Sequence, residues 1–186
     1  LNVFAERHDL DVEMIVARNL NEMINMLNRG EGDLIAYSLT ITRDRRERLA
    51  FSNSLNRTRQ VLVQSKPSNW RQMRLHVIEQ ELLRSPIELA NRTVHVRQAS
   101  SYLERLENLE EEIGDSIHIV EAEPGVTTEQ LIRLVAEGEI EFTVSDENIA
   151  KLNKANFPIL DIETPISLPQ QTAWAVRSNS PELLGA

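Results

Sequence analysis

"GEGDLIAYSLTITRDRRERLAFSNS", residues 30–54, sets an apolar run, a hydroxyl-rich exit and four arginines within positions 43–48 next to one another. DLIAYS (33–38) has the composition of a strand. Thr42 is placed to cap a short helix through Arg48, its hydroxyl accepting from an otherwise unpaired backbone N–H. A strand that leaves directly into a helix start collects backbone donors, hydroxyls and guanidinium groups at one strand end. A carboxylate ligand needs such groups, because the planar arginine fork donates two parallel hydrogen bonds. The carboxyl ends of strands are also the usual ligand edge of open α/β sheets. The competing reading is a solvated helix face in which Asp44 and Glu47 offset part of the charge, and it is the preferred one for Arg43, Arg46 and Arg48.

The rest of the chain makes that cluster local. Of 186 residues 29 are acidic and 20 basic, a formal net charge of −9, so a nucleic-acid or anionic-membrane surface is disfavoured. The absence of cysteine removes disulfides and thiolate metal sites. His8, His76, His95 and His118 share no metal-ligand spacing, and no phosphate-binding, dinucleotide, nucleophile-elbow or zinc-protease motif occurs. No metal, no cofactor and no active site within these residues is expected. The first residue is Leu1, inside the helical-looking LNVFAERHDL, and SPELLGA (180–186) reads as a helix start cut after one turn. The chain reads as an excerpt of a longer protein.

Short apolar runs alternate with amphipathic stretches, which predicts an α/β fold with mainly parallel sheets flanked by helices. After VEMIVA (12–17), Leu20, Met23, Ile24 and Leu27 fall at helical spacing and Gly30 stands where that helix ends. RQVLVQ (59–64) follows as a strand. A second set has strands at 93–97, 117–122 and 140–145, and helices at 101–113 and 128–137. FPILDI (157–162) and TAWAVR (172–177) come after it. This rhythm predicts two lobes: residues 1–64 with 166–186, incomplete at the N-terminal side, and residues 93–165, joined by a connecting segment at 65–92. A cleft between two such lobes is where a small ligand is commonly buried.

Residues 30–54 resemble the first-lobe signature of the family 3 bacterial solute-binding proteins, the amino-acid-binding branch of the type 2 periplasmic binding fold. That signature is matched at Gly30, Asp33, Ser38, Thr40, Thr42, Asp44, Arg45, Leu49, Phe51 and Ser52. The resemblance implies that Arg45 clamps a ligand α-carboxylate, with main-chain groups and hydroxyls at Ser38 and Thr40 completing the shell. VHVRQASSYLERL (94–106) resembles the family's strand, turn and helix start, where Ser100 and Ser101 would also meet the carboxylate. Ala99 stands where the family often has glycine. The competing reading there is a capping box of Ser101 with Glu104. IEFTVSDENIAKLN (140–153) resembles the strand whose following acid, here Asp146, holds an α-ammonium group. The competing reading for Asp146 is a helix N-cap.

Within that family, TRQVLVQ followed by a tryptophan is similar to the lytic-transglycosylase branch, whose members join this module to a downstream lysozyme-like domain that cleaves cell-wall glycan. The resemblance therefore implies a non-catalytic module in the periplasm or the outer-membrane-associated envelope. Its partners would be a small amino acid or muropeptide and an attached lysozyme-like domain. A transport receptor for amino acids, or a degenerate scaffold for a protein partner, is the alternative; Ser54 and Leu55 stand in place of the family's proline and aromatic, and the missing aromatic, Leu55 and Ala99 favour the scaffold.

Overall fold

The computed structural model describes residues 2–180 and 183. In chain order the first elements are α1 (Asn2–His8), α2 (Leu20–Arg29), β1 (Leu34–Thr40), α3 (Arg43–Arg48), β2 (Leu49–Phe51), β3 (Asn56–Thr58) and β4 (Gln60–Ser65). A 3₁₀ turn at Trp70–Gln72, α4 (Leu75–Glu81) and a second 3₁₀ turn at Pro86–Leu89 lead to β5 (Thr93–Val96), α5 (Ser101–Ile113) and β6 (His118–Glu121). The remaining elements are α6 (Thr128–Glu137), β7 (Phe142–Asp146), α7 (Glu147–Asn156), β8 (Leu160–Asp161) and β9 (Gln170–Arg177). The helix expected to begin at Ser180 falls on residues 181, 182 and 184–186, outside the described ones.

Local chemistry explains the helix ends. Asn19 accepts from the Glu22 N–H at the start of α2, and Gly30 closes it at φ 77°, in the left-handed region where a side chain costs energy. Thr127 and Gln130 form a reciprocal capping box at the start of α6.

The chain divides into two compact units, Leu1–Arg57 with Gln170–Ala186, and Thr58–Pro169. In the first, β9 pairs antiparallel with β1 and with β2. Leu20, Ile24 and Leu27 of α2 pack with Ile35, Leu39, Leu49 and Ala175. VEMIVA belongs to no regular element, and Val12, Met14, Ile15 and Val16 are exposed.

In the second unit the sheet order is β6-β5-β7-β4-β8. β5 runs parallel to β6 and β7, whereas β4 is antiparallel to β7 and β8. Strand side chains alternate between faces, so Leu62, Val94, Val96, Phe142 and Val144 meet Tyr102, Leu106 and Leu109 of α5. Val61 and Val63 meet Ile132 and Val135 of α6 and Ala150 of α7. Covered on both faces, β4 reads as an unbroken apolar run rather than an alternating one.

The α/β class stands, but the sheets are mixed rather than mainly parallel. β9 returns to the first unit from the far end of the chain, and a returning strand is free to pair antiparallel without a crossover helix. The units also part at 57/58 and 169/170, not at 64/65 and 165/166. β4, grouped by sequence with the first set, bonds to β7 and β8 in the second unit. The segment at 65–92 is folded into that unit: Leu83 exchanges hydrogen bonds with Gln64, and its carbonyl also accepts from the Thr164 hydroxyl.

Candidate functional site

In the first unit the predicted residues gather at the carboxyl end of β1. The ladder with β9 is irregular between Ile35 and Leu39, and such a bulge re-aims the side chains within it. Ser38, in that interval, is exposed and donates to the Thr172 hydroxyl at 2.9 Å. Thr40 is buried opposite Thr172 in the ladder. Thr42 caps α3 by accepting from the Arg45 N–H at 3.4 Å, and the Arg45 guanidinium turns back to donate to the Thr40 carbonyl at 3.0 Å. Ser38, Thr40 and Arg45 are thus gathered at one strand end. Thr172 joins them, and sequence reasoning missed it because only tertiary pairing brings β9 beside β1. A hollow of about 350 Å³ in the same unit is lined by Arg46, Phe51, Ser52, Asn53 and Gln171 among others. Arg46 faces it, and Arg45 is not part of its lining.

In the second unit β5 and β7 are parallel neighbours, so their carboxyl ends share an edge. β5 leads to the start of α5, and β7 ends at Asp146. Ser100 occupies the N-cap position of α5, but its hydroxyl donates to the Arg97 carbonyl at 2.6 Å. Helix α5 begins at Ser101, one residue too early for a capping box between Ser101 and Glu104. Both serines are buried. Ala99 adopts φ 53°, the left-handed conformation that a glycine accepts readily. Asp146 is the N-cap residue of α7, yet its carboxylate makes no capping hydrogen bond to that helix. Its backbone N–H donates to the Tyr102 hydroxyl at 3.3 Å, which ties the end of β7 to the first turn of α5. The next acid, Glu147, pairs with Arg59 and with Lys151, each at 3.0 Å. Those hydrogen bonds, Arg59 first, hold its carboxyl below the usual range.

Gln60, which bonds Ser101, and Tyr102, which bonds the Asp146 N–H, also meet this edge, and sequence reasoning missed both. Gln60 is fully buried, and a polar side chain inside the run RQVLVQ was the available signal, since buried amides need partners. Tyr102 is buried in α5, and its spacing in the sequence carries no sign of the hydroxyl's partner. Among the described residues no cluster of three metal-ligating side chains occurs, and no helix is long and apolar enough to cross a membrane.

Each unit thus sets polar groups at strand ends of an α/β fold, hydroxyls and a guanidinium in the first, and two buried serines and a carboxylate in the second, and the class this points to is that of a solute-binding protein. The chain belongs to the bacterial extracellular solute-binding proteins, family 3, whose family model matches residues 1–186. Such a domain binds solute and is non-catalytic. The chain is 36% identical over 174 residues to the membrane-bound lytic murein transglycosylase F of Desulfosudis oleivorans, covering 94% of this chain and 35% of that relative. It therefore spans about a third of the length of that protein. Holo ArgBP from T. maritima has the same fold, with a TM-score of 0.76 and 22% identity over 99% of this chain and 73% of its own. So does the GluR0 ligand-binding core in complex with L-glutamate, at 0.77 and 17%, over 97% and 74%.

Proposed function

We propose that this domain binds a small zwitterion, an amino acid or a cell-wall peptide fragment. In the first unit Arg45, with Ser38 and Thr40, is the group for a carboxylate; in the second, Ser100 and Ser101 at the start of α5 are donors for a carboxylate and Asp146 is the group for the ammonium. The observation that carries this reading is the strand-end edge of the second unit. There the Asp146 backbone N–H donates to the Tyr102 hydroxyl and so ties the end of β7, which carries a carboxylate, to the first turn of α5, which opens on two buried serines. Such a pairing suits a ligand with both charges, because each group is matched by its complement. The likeness to arginine-bound ArgBP and to the GluR0 core with L-glutamate supports an amino-acid-sized ligand.

Isothermal titration with the twenty L-amino acids and soluble muropeptides, on wild type and on Arg45→Ala, tests the assignment. The substitution is expected to weaken carboxylate binding by about 2–5 kcal/mol, the range for breaking a buried charge-assisted pair. Equal affinities would remove Arg45 from the site.

A second reading is favoured by the relatives named lytic murein transglycosylase F: in its parent protein the domain reports ligand to an attached glycan-cleaving domain in the periplasm or outer-membrane envelope. Glycan cleavage by the full-length parent, with and without ligand, tests that coupling, and an unchanged rate opposes it. A receptor feeding a transporter would bind ligand equally well but show no such coupling. A scaffold for a protein partner would show no small-molecule stabilisation in a thermal-shift screen.

A further inference from the structure

We infer that Gln60 is a positioning residue that reserves the Ser101 hydroxyl, rather than that of Ser100, for donation to the ligand's carboxylate. The inference rests on the zwitterion reading above and adds to it which serine acts and why. Gln60 Nε2 donates to the Ser101 carbonyl at 3.3 Å and to the Ser101 hydroxyl oxygen at 3.1 Å. A carbonyl only accepts, so the amide must present its NH₂ to this serine. The hydroxyl oxygen therefore acts as acceptor toward Gln60. A serine hydroxyl has one hydrogen, and with Gln60 supplying its own, the Ser101 hydrogen is left to point at an anion. Ser100 is committed the other way, since its single hydrogen is donated to the Arg97 carbonyl.

The glutamine is well fixed for this task. Its backbone N–H donates to the Ser167 hydroxyl at 2.8 Å, its carbonyl accepts from the Ile166 N–H at 2.9 Å, and it stands opposite Asp146 in the ladder between β4 and β7. One strand position thus supports both the residue proposed for the carboxylate and the one proposed for the ammonium. With its backbone fixed in this way and its buried amide donating to both the carbonyl and the hydroxyl of Ser101, the side chain has few alternative rotamers, so the serine's orientation is set before ligand arrives.

The test uses the amino acid bound most tightly by wild type and the amine that lacks its carboxylate. Affinities for both are measured by calorimetry on wild type, Gln60→Met, Ser101→Ala and the double variant, with melting temperatures alongside. Methionine keeps the unbranched length and removes the donor. Gln60→Met is expected to weaken the amino acid 5- to 20-fold and the amine less than twofold, and the double variant should match Ser101→Ala within twofold, as coupled groups do. Gln60→Glu, whose carboxylate would capture the serine hydrogen, should weaken the amino acid at least as much, and it serves as the readout should Gln60→Met fail to fold. Equal losses for amino acid and amine, or additive effects in the double variant, would reduce Gln60 to a structural residue and overturn the inference. So would a larger loss from Ser100→Ala than from Ser101→Ala. An unchanged affinity in Gln60→Met overturns this role alone, whereas wild type that binds no zwitterion overturns the functional reading with it.

Discussion

The Arg84 guanidinium grips the buried carboxylate of Asp161 through both oxygens, at 2.6 and 3.2 Å, while donating twice more to Glu79. Gln64 Nε2 and the Glu163 N–H also donate to Asp161. These bonds, those to Glu79 first, raise the guanidinium's affinity for its proton above the ordinary value. The pair fastens the stretch after α4 to β8, which is why residues 65–92 behave as part of the second unit. Arg84→Met leaves the buried Asp161 side chain without its guanidinium partner. Urea denaturation should show a loss of about 3–5 kcal/mol, the usual cost of stranding one partner of a buried pair. Arg84→Met combined with Asp161→Leu should recover much of it, and a double variant as unstable as the single one would contradict this.

Ala99 holds φ 53° in the turn before α5. The left-handed conformation costs an L-residue about 1–2 kcal/mol, and glycine gives back about 0.5–1 of that through its greater unfolded-state freedom. Ala99→Gly should therefore stabilise the protein by about 0.5–1 kcal/mol, read as a raised midpoint in urea. A lowered midpoint would mean that the turn is not strained.

His95 lies on β5 with its Nδ1 buried and without a hydrogen-bond partner among the described residues. Burial pushes its pKa below the ordinary 6.5. Above 6.5 both folded and unfolded chains carry a neutral imidazole there, and the full contribution to stability is present. As pH falls through that value the unfolded chain takes up a proton that the folded chain resists, so stability declines. Melting temperatures between pH 7.5 and 5 should fall more steeply for wild type than for His95→Phe, and parallel curves would count against the assignment.

Asp146→Asn should weaken a bound amino acid but leave its deaminated analogue within about twofold, since the lost pairing is with the ammonium alone. The comparison is made by calorimetry on both ligands. A matching loss for the two compounds would assign Asp146 a role in shaping the fold instead.

Much of the candidate site was readable along the chain because its motifs are local. The strand, the threonine cap and the arginine of α3 follow one another within residues 30–48, and neighbours in sequence must remain neighbours in space. The start of α5 and the end of β7 were legible for the same reason, each as a strand passing into a helix. Gln60, Tyr102 and Thr172 were not, because each meets its partner across strand pairing or helix packing.

Helix positions, the α/β class and the family signature were thus determined by sequence alone, since periodicity, capping residues and short motifs act over a few positions. Tertiary structure alone decided that β9 returns antiparallel beside β1, that β4 belongs to the second unit, and which serine hydroxyl keeps a hydrogen to donate. Those outcomes depend on which backbone and side-chain groups satisfy one another over more than forty positions of separation, and no local pattern encodes such a choice.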